Sequence, residues 1–146
     1  MSLTEDFLSA AEEQEIVAAI VKAEKETSGE IRVHIEDHSD LPVLDRAREV
    51  FKMLQMHKTS ARNGVLFYVG VQDRHLAIIG DDGIDRAVPY DFWESTKELV
   101  VKHFKENRFK DGLIAGVLHT GKQLKQFFPY SRTEDENELP NEISRG

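Results

Sequence analysis

Three aspartates follow a strongly apolar segment, and their oxygen atoms could bind a metal ion. The sequence IIGDDGID at residues 78–85 places Asp81, Asp82 and Asp85 directly after the apolar residues. Carboxylates this close together repel one another, and a hard cation bound by their oxygens relieves the repulsion. The alternative is an ordinary solvated turn, which is the usual state of acidic loops. The segment does not fit the EF-hand pattern, so a metal site here would need ligands from separate loops.

The first half of the chain predicts two helices and a strand that lead towards this acidic segment. A capping box at Ser9 and Glu12, followed by apolar residues at helical spacing, predicts a helix that ends near Gly29. Residues 30–36, EIRVHIE, alternate between apolar and polar and predict a half-buried strand. Pro42 suits the first turn of a second helix. The predicted apolar face of that helix comprises Leu44, Ala47, Phe51 and Leu54.

The second half predicts a hairpin followed by two helices. The apolar segments NGVLFYVGV and RHLAIIG are joined by a short polar link, which indicates two strands covered on both faces. Asp91 and Asp111 are candidate N-caps for the two helices. Residues 131–146 are polar and acidic and predict a surface or disordered tail, so residues 1–130 are expected to form one domain. The predicted order is α-β-α-β-β-α-α, an α/β fold with helices flanking the sheet.

This order brings distant oxygen ligands to one place. Two strands joined through a helix are expected to be parallel, and the hairpin partner is expected to be antiparallel. The starts of the first two strands and the end of the third then share one edge of the sheet, where Glu30, Asn63 and Asp81 converge. The segment that leaves this edge carries the remaining candidates, which are Asp82, Asp85 and Asp91.

The expected ligand is calcium rather than magnesium. Ca²⁺ accepts six to eight oxygens in irregular geometry, whereas Mg²⁺ requires an octahedron and retains more water. Each residue also has a purely structural alternative: Asp91 could cap a helix, Asn63 could belong to a turn with Gly64, and Glu30 lies on the polar face of a strand.

Composition limits the other classes of function. The chain of 146 residues contains 27 acidic and 19 basic side chains, so neither nucleic acid nor an anionic membrane is an expected partner. It has no cysteine, which excludes disulfides, thiolate nucleophiles and thiolate-bound zinc. It also lacks the common phosphate-loop, dinucleotide-binding and nucleophile-elbow motifs. No signal peptide or apolar segment long enough to span a bilayer is present, which predicts a cytoplasmic protein without membrane insertion.

An ordered set of segments resembles the TPM domain, a family found alone in bacteria and elsewhere on membrane anchors, including a thylakoid protein of photosystem II repair. The segments are EIRV from residue 30, RNGVLFYV at 62–69, IIGDDGI at 78–84, VPYDFW at 88–93, and FKDGLIAGV with QFFP near the end. The resemblance spans about residues 5–129. It implies a three-layer α/β/α sandwich around a short mixed β-sheet, with two crossing loops that bind divalent metal in some members. By this resemblance, the metal ligands expected first in these loops are Asn63, Asp81, Asp82 and Asp91.

The resemblance and the residues together favour a bacterial TPM domain that binds one or two divalent cations. Its expected role is that of a metal-modulated regulatory or interaction module, with an unidentified protein partner. The alternative is a metal-dependent acid phosphatase, because some relatives are described as acid phosphatases. Arg62 and Arg86 could supply positive charge beside the loops, but no catalytic motif is recognisable and the catalytic residues are unknown. A third hypothesis is an interaction module in which the metal is incidental.

Overall fold

The computed structural model describes residues 7–130 and 139–145. A 3₁₀ helix, Met56–Lys58, precedes the second strand. The helices are α1 Ala10–Ala23, α2 Val43–Met53, α3 Asp82–Ala87, α4 Glu94–Lys105 and α5 Phe109–Leu124. The strands are β1 Glu30–Glu36, β2 Gly64–Gly70, β3 His75–Gly80 and β4 Ser144–Arg145. The predicted α/β order is therefore present, with α3 and β4 added to it.

The sheet has the strand order β3-β2-β1-β4. β1 runs parallel to β2, with Glu30 opposite Gly64, and β3 runs antiparallel to β2, with Gly80 opposite Val65. The predicted convergence is confirmed, because the starts of β1 and β2 and the end of β3 share one edge. We call this edge, with residues 59–63 and 81–92 beside it, the loop edge.

Helices cover both faces of the sheet, which confirms the three-layer sandwich. Ile31, Val33 and Ile35 of β1 belong to an apolar core shared with α1, α4 and α5. Leu66 and Tyr68 of β2 belong to a second core shared with α2 and the 3₁₀ helix. The capping box of α1 also forms as predicted, and its expected apolar face is buried.

β1 is buried along its whole length, so the prediction of a half-buried strand is wrong. Its polar side chains lie against α2, β2 and residues 139–145 instead of water. Glu36 receives two hydrogen bonds from Arg46 of α2, at 2.7 and 2.8 Å, and a third from the hydroxyl of Tyr68. The two nitrogens of His34 lie 3.0 Å from Glu36 Oε1 and 3.0 Å from Ser144 Oγ. We call Glu36, His34, Arg46 and Tyr68 the buried polar cluster.

Hydrogen bonding sets the charge state of this cluster. Burial alone would raise the pKa of Glu36, but the hydrogen bonds from Arg46, Tyr68 and His34 outweigh it and hold the pKa at about 2. Burial also lowers the pKa of His34, although its bond to Glu36 opposes that shift. Near neutral pH the cluster therefore contains an ionised Glu36, a charged Arg46 and a neutral His34.

Several local predictions differ from the structure. α4 begins at Glu94 after Trp93, without a side-chain cap, so Asp91 does not cap it. Asp111 lies in the first turn of α5 rather than before it. Leu44 is 47% exposed, and Val50 takes its place in the buried face of α2. Each difference is a shift of a residue or two at a helix end or around a helix axis, where sequence patterns are least specific.

Part of the predicted tail packs against the sheet. Residues 131–138 and 146 lie outside the described residues. Leu139 is only 7% exposed and belongs to the α2-side core. Ser144 and Arg145 form β4, which pairs with His34 and Ile35 of β1. Residues 139–145 therefore help to cover the polar face of β1.

Candidate metal site at the loop edge

Two loops cross at the loop edge through a close backbone contact. The backbone N–H of Gly83 donates to the carbonyl of Arg62 at 2.9 Å, and the N–H of Asp81 donates to the carbonyl of Gly64 at 2.9 Å. A Cβ atom on Gly83 would lie 2.4 Å from the carbonyl oxygen of Ala61 and 2.6 Å from that of Arg62. Only glycine therefore permits this approach of the two loops.

Asp81 joins the two loops through its side chain. It is only 5% exposed. Arg62 donates from Nε to Oδ2 at 2.8 Å and from Nη2 to Oδ1 at 2.9 Å, a bidentate ion pair. The N–H of Asp82 donates to the same Oδ1 at 2.7 Å. Burial would raise the pKa of Asp81, but the hydrogen bonds from Arg62 and Asp82 lower it overall. Asp81 is thus an ionised carboxylate that already has a cationic partner.

Asp82 and Asp85 leave an excess of negative charge beside this pair. Both are exposed, and with Asp81 they line a cleft of about 550 Å³ between α2, β3 and the segment before α4. We call this the acidic cleft. Burial raises the pKa of Asp85, and the charges of Asp82 and Asp81 raise it further, against an opposing effect of Arg48. The raised pKa thus reflects burial first and repulsion from the neighbouring carboxylates second.

The other predicted ligands lie near the loop edge but outside the acidic cleft. Asn63 is 2% exposed, and its Nδ2 donates to the carbonyl of Ser28 at 3.1 Å. Glu30 is 4% exposed, and its Oε1 accepts from the N–H of Leu139 at 3.0 Å. Asp91 is exposed and does not line the cleft. The structure thus brings together three of the six predicted residues.

The chemistry of the acidic cleft fits a partly hydrated cation better than a closed set of protein ligands. Within residues 7–130 and 139–145, no three His, Cys, Asp or Glu side chains are arranged so that they could hold a metal ion. Asp81 is occupied by Arg62, which leaves Asp82 and Asp85 as the accessible carboxylates. Calcium accepts six to eight oxygens from carboxylates and waters in irregular geometry, so Asp82 and Asp85 could supply only part of its ligands and waters would have to supply the rest.

The role of Arg62 was not predicted from the sequence. Its position before Asn63 indicated a charge beside the loops but not a bond to Asp81. A signal was available in the predicted topology, because a nearly buried aspartate at a strand end requires a cationic or N–H partner. Arg62 is the nearest basic residue before the start of the neighbouring strand, β2.

Glu24 near the loop edge gives a pH-dependent prediction. Its Oε2 accepts from the N–H of Ile31 at 3.0 Å. Burial raises its pKa to about 7, the bond from Ile31 opposes the shift, and the charge of Glu30 adds to it. The stability that Glu24 contributes is complete below its ordinary pKa of 4.5 and is lost as pH rises through about 7.

We therefore expect Glu24→Gln to become more stable relative to wild type as the pH rises from 4.5 to 7, because glutamine can still accept from Ile31 and cannot ionise. Urea unfolding across this pH range measures the difference. Glu98→Gln, a change at an exposed glutamate of α4, is the control. Parallel pH profiles for wild type and Glu24→Gln would contradict the assignment.

The family follows from the fold and the sequence together. Residues 2–123 match the TPM domain, which is most of the chain and includes both crossing loops. The chain belongs to the TPM domain family. Its TPM domain matches the NMR structure of BA42, a protein from the psychrophilic bacterium Bizionia argentinensis, with 48% identity, a TM-score of 0.91 and 96% coverage of both chains.

More distant structures share the fold alone. The N-terminal domain of a protein from P. gingivalis aligns at 18% identity with a TM-score of 0.69, covering 86% of this chain and 83% of that one. The N-terminal domain of cg2496 from Corynebacterium glutamicum aligns at 10% identity with a TM-score of 0.62, covering 95% and 80%. A comparison with curated proteins gives no match. Of the helices in the described ranges of this TPM domain, none is long and apolar enough to cross a membrane.

Proposed function

We propose that this TPM domain binds one or two divalent cations in the acidic cleft, with calcium preferred to magnesium. The observation that carries the proposal is the gathering of Asp81, Asp82 and Asp85 around one cleft where the two loops cross. Burial raises the pKa of Asp85, and repulsion from the charges of Asp82 and Asp81 raises it further. A divalent cation would remove this repulsion and would bind with Asp82 and Asp85 as its first ligands.

Arg62 would act as the competing cation. In the structure its guanidinium holds Asp81, and its Nη2 also lies 3.5 Å from Asp82 Oδ2. A metal ion that recruits Asp81 must replace that ion pair, which favours moderate affinity over very tight binding. Because Arg62 and Gly83 connect the loops, metal binding at this point would change the order of both loops.

A regulatory or interaction role follows from that coupling. We propose that the metal-bound loops form the surface that a protein partner recognises. Hydrolysis of phosphate esters would require cations free to hold the phosphate. Arg62, the cation that contacts Asp81, is bonded to it, and no catalytic motif accompanies Arg86, so we favour binding without catalysis.

Calcium titration of chelator-treated protein tests the proposal. We expect amide NMR shifts confined to residues near 59–64 and 81–92, with smaller changes on adding magnesium. Calcium should also raise the melting temperature by ligand linkage. The double variant Asp82→Asn with Asp85→Asn should lose both responses.

The charge-matched control is Asp40→Asn with Asp111→Asn, which removes two carboxylates outside the acidic cleft. This control should respond as wild type does. Equal responses in the two double variants, or no shift at the loop edge in wild type, would overturn calcium binding at this site.

A further inference from the structure

A second cavity lies at the opposite end of the β2–β3 hairpin from the acidic cleft. Its volume is about 650 Å³, within the usual range of small-molecule sites. One wall is formed where Val69 pairs with Leu76 and Gly70 pairs with His75. The other wall is the corner between α4 and α5. We call it the hairpin cavity.

The body of the hairpin cavity is apolar and rich in aromatic rings. Phe7, Phe104 and Phe109 all line it and contact one another, with ring centroids 4.3 to 5.9 Å apart. Val101 and Leu76 add aliphatic surface. Binding of an apolar ligand group to such partly exposed apolar surface is favourable, because it removes that surface from water.

Of residues 7–130 and 139–145, the ionisable side chains that line the cavity are all basic. They are Arg74, His75 and Lys105, and no aspartate or glutamate of these ranges lines it. This contrasts with a chain whose formal net charge is −8. Neither Arg74 nor Lys105 forms an ion pair with any residue in the described ranges. The adjacent carboxylate, Asp73, is held by His38 at 2.6 Å and by the N–H of Ser39 at 3.1 Å.

We propose that the hairpin cavity binds a small amphipathic carboxylate of the medium-chain fatty acid type. The apolar chain would lie against Phe104, Phe109 and Val101, and the carboxylate would accept hydrogen bonds from Arg74 and Lys105. Two unpaired cations beside an apolar cavity complement a single anionic head on an apolar body. A neutral ligand would leave those cations without a counter-charge.

The hairpin cavity is distinct from the acidic cleft. The cavity lies at the Gly70–His75 end of the hairpin, whereas the cleft lies at the Val65–Gly80 end. None of the residues that line one lines the other. Carboxylate binding is therefore expected with or without calcium.

Decanoate and decanol, used below their aggregation limits, test the proposal by amide NMR titration of the full chain. We expect saturable shifts with decanoate at residues near 69–76 and 101–109, and binding by decanol at least fivefold weaker. Arg74→Gln with Lys105→Gln should weaken decanoate by about fivefold or more, the scale of two exposed charge contacts. Val101→Phe, which places a larger side chain against the cavity wall, should weaken binding.

Lys97→Gln with Lys122→Gln is the charge-matched control, because both lysines are exposed and lie outside the cavity. It should bind decanoate as wild type does. Equal binding of decanol and decanoate, equal weakening in the two double variants, unchanged binding by Val101→Phe, or shifts spread over the whole surface would each overturn the proposal.

Discussion

Gly83→Ala should destabilise the fold by about 3 kcal/mol, because its new methyl group meets backbone atoms that cannot move aside alone. The Cβ would lie 2.4 Å from the carbonyl oxygen of Ala61. Relieving that contact requires the two crossing loops to separate, which breaks the hydrogen bond from Gly83 to Arg62 and strains the ion pair of Arg62 with Asp81. Urea unfolding followed by circular dichroism measures the loss. The midpoint urea concentration should fall, and the dependence of the unfolding free energy on urea should stay unchanged.

Gly70→Ala is the matched control for this prediction. Gly70 also ends an element of the hairpin, but a Cβ there would make only ordinary contacts, the nearest at 3.5 Å. Its effect on the free energy of unfolding should lie within about 1 kcal/mol, because alanine also restricts the unfolded chain. If Gly83→Ala were as mild as Gly70→Ala, the loops would not be in the close contact on which the acidic cleft depends. Gly83→Ala should also weaken the calcium response, since Asp82 and Asp85 lie in the same short helix, α3, as Gly83.

The sequence predicted the architecture because its strongest signals are local. The capping box at Ser9, the apolar alternation of β1 and the short link between β2 and β3 each determine one element within a few residues. Once their order is known, the rules for parallel and antiparallel connections place Glu30, Asn63 and Asp81 at one edge. The structure bears out this placement.

The side-chain partners depend on contacts between distant residues, and these were not predictable from spacing. Asp81 faces Arg62 across the loop crossing, so the candidate metal site contains an internal cation that composition alone could not assign. β4 has only two residues and no periodicity, yet residues 139–145 help α2 to bury a strand face that the sequence pattern indicated as exposed. The aspartates and glycine of DDGID indicate a turn, but the structure has a helix, α3, there. The helix forms because the side chain of Asp81 accepts its first N–H.

The buried face of β1 could still have been suspected from topology. A strand paired in parallel through a helical crossover normally lies inside a sheet that is covered on both faces. Charged residues on such a strand must find partners, since an unpaired buried charge is costly. Arg46 on the crossover helix α2 was the nearest candidate for Glu36, and it is the residue that the structure places there.

The same pairing predicts that Glu36→Gln will cost about 3 kcal/mol, because it leaves the guanidinium of Arg46 next to a neutral amide within a buried cluster. Glu36 accepts two hydrogen bonds from Arg46 and one from Tyr68, and its side chain is only 4% exposed. Glutamine has one acceptor oxygen in place of two, so at least one of these donors loses its partner. Thermal and urea unfolding at neutral pH measure the loss.

Glu49→Gln separates this effect from a general loss of charge. Glu49 also binds Arg46, but its side chain is 50% exposed, so its removal should cost about 1 kcal/mol or less. The pH dependence gives a second criterion. The contribution of Glu36 is complete above its ordinary pKa of 4.5 and is lost as pH falls through about 2. The difference in unfolding free energy between wild type and Glu36→Gln should therefore shrink as the pH falls across that interval. A constant difference, or equal losses in Glu36→Gln and Glu49→Gln, would show that the ionised Glu36 does not hold α2 and β2 to the polar face of β1.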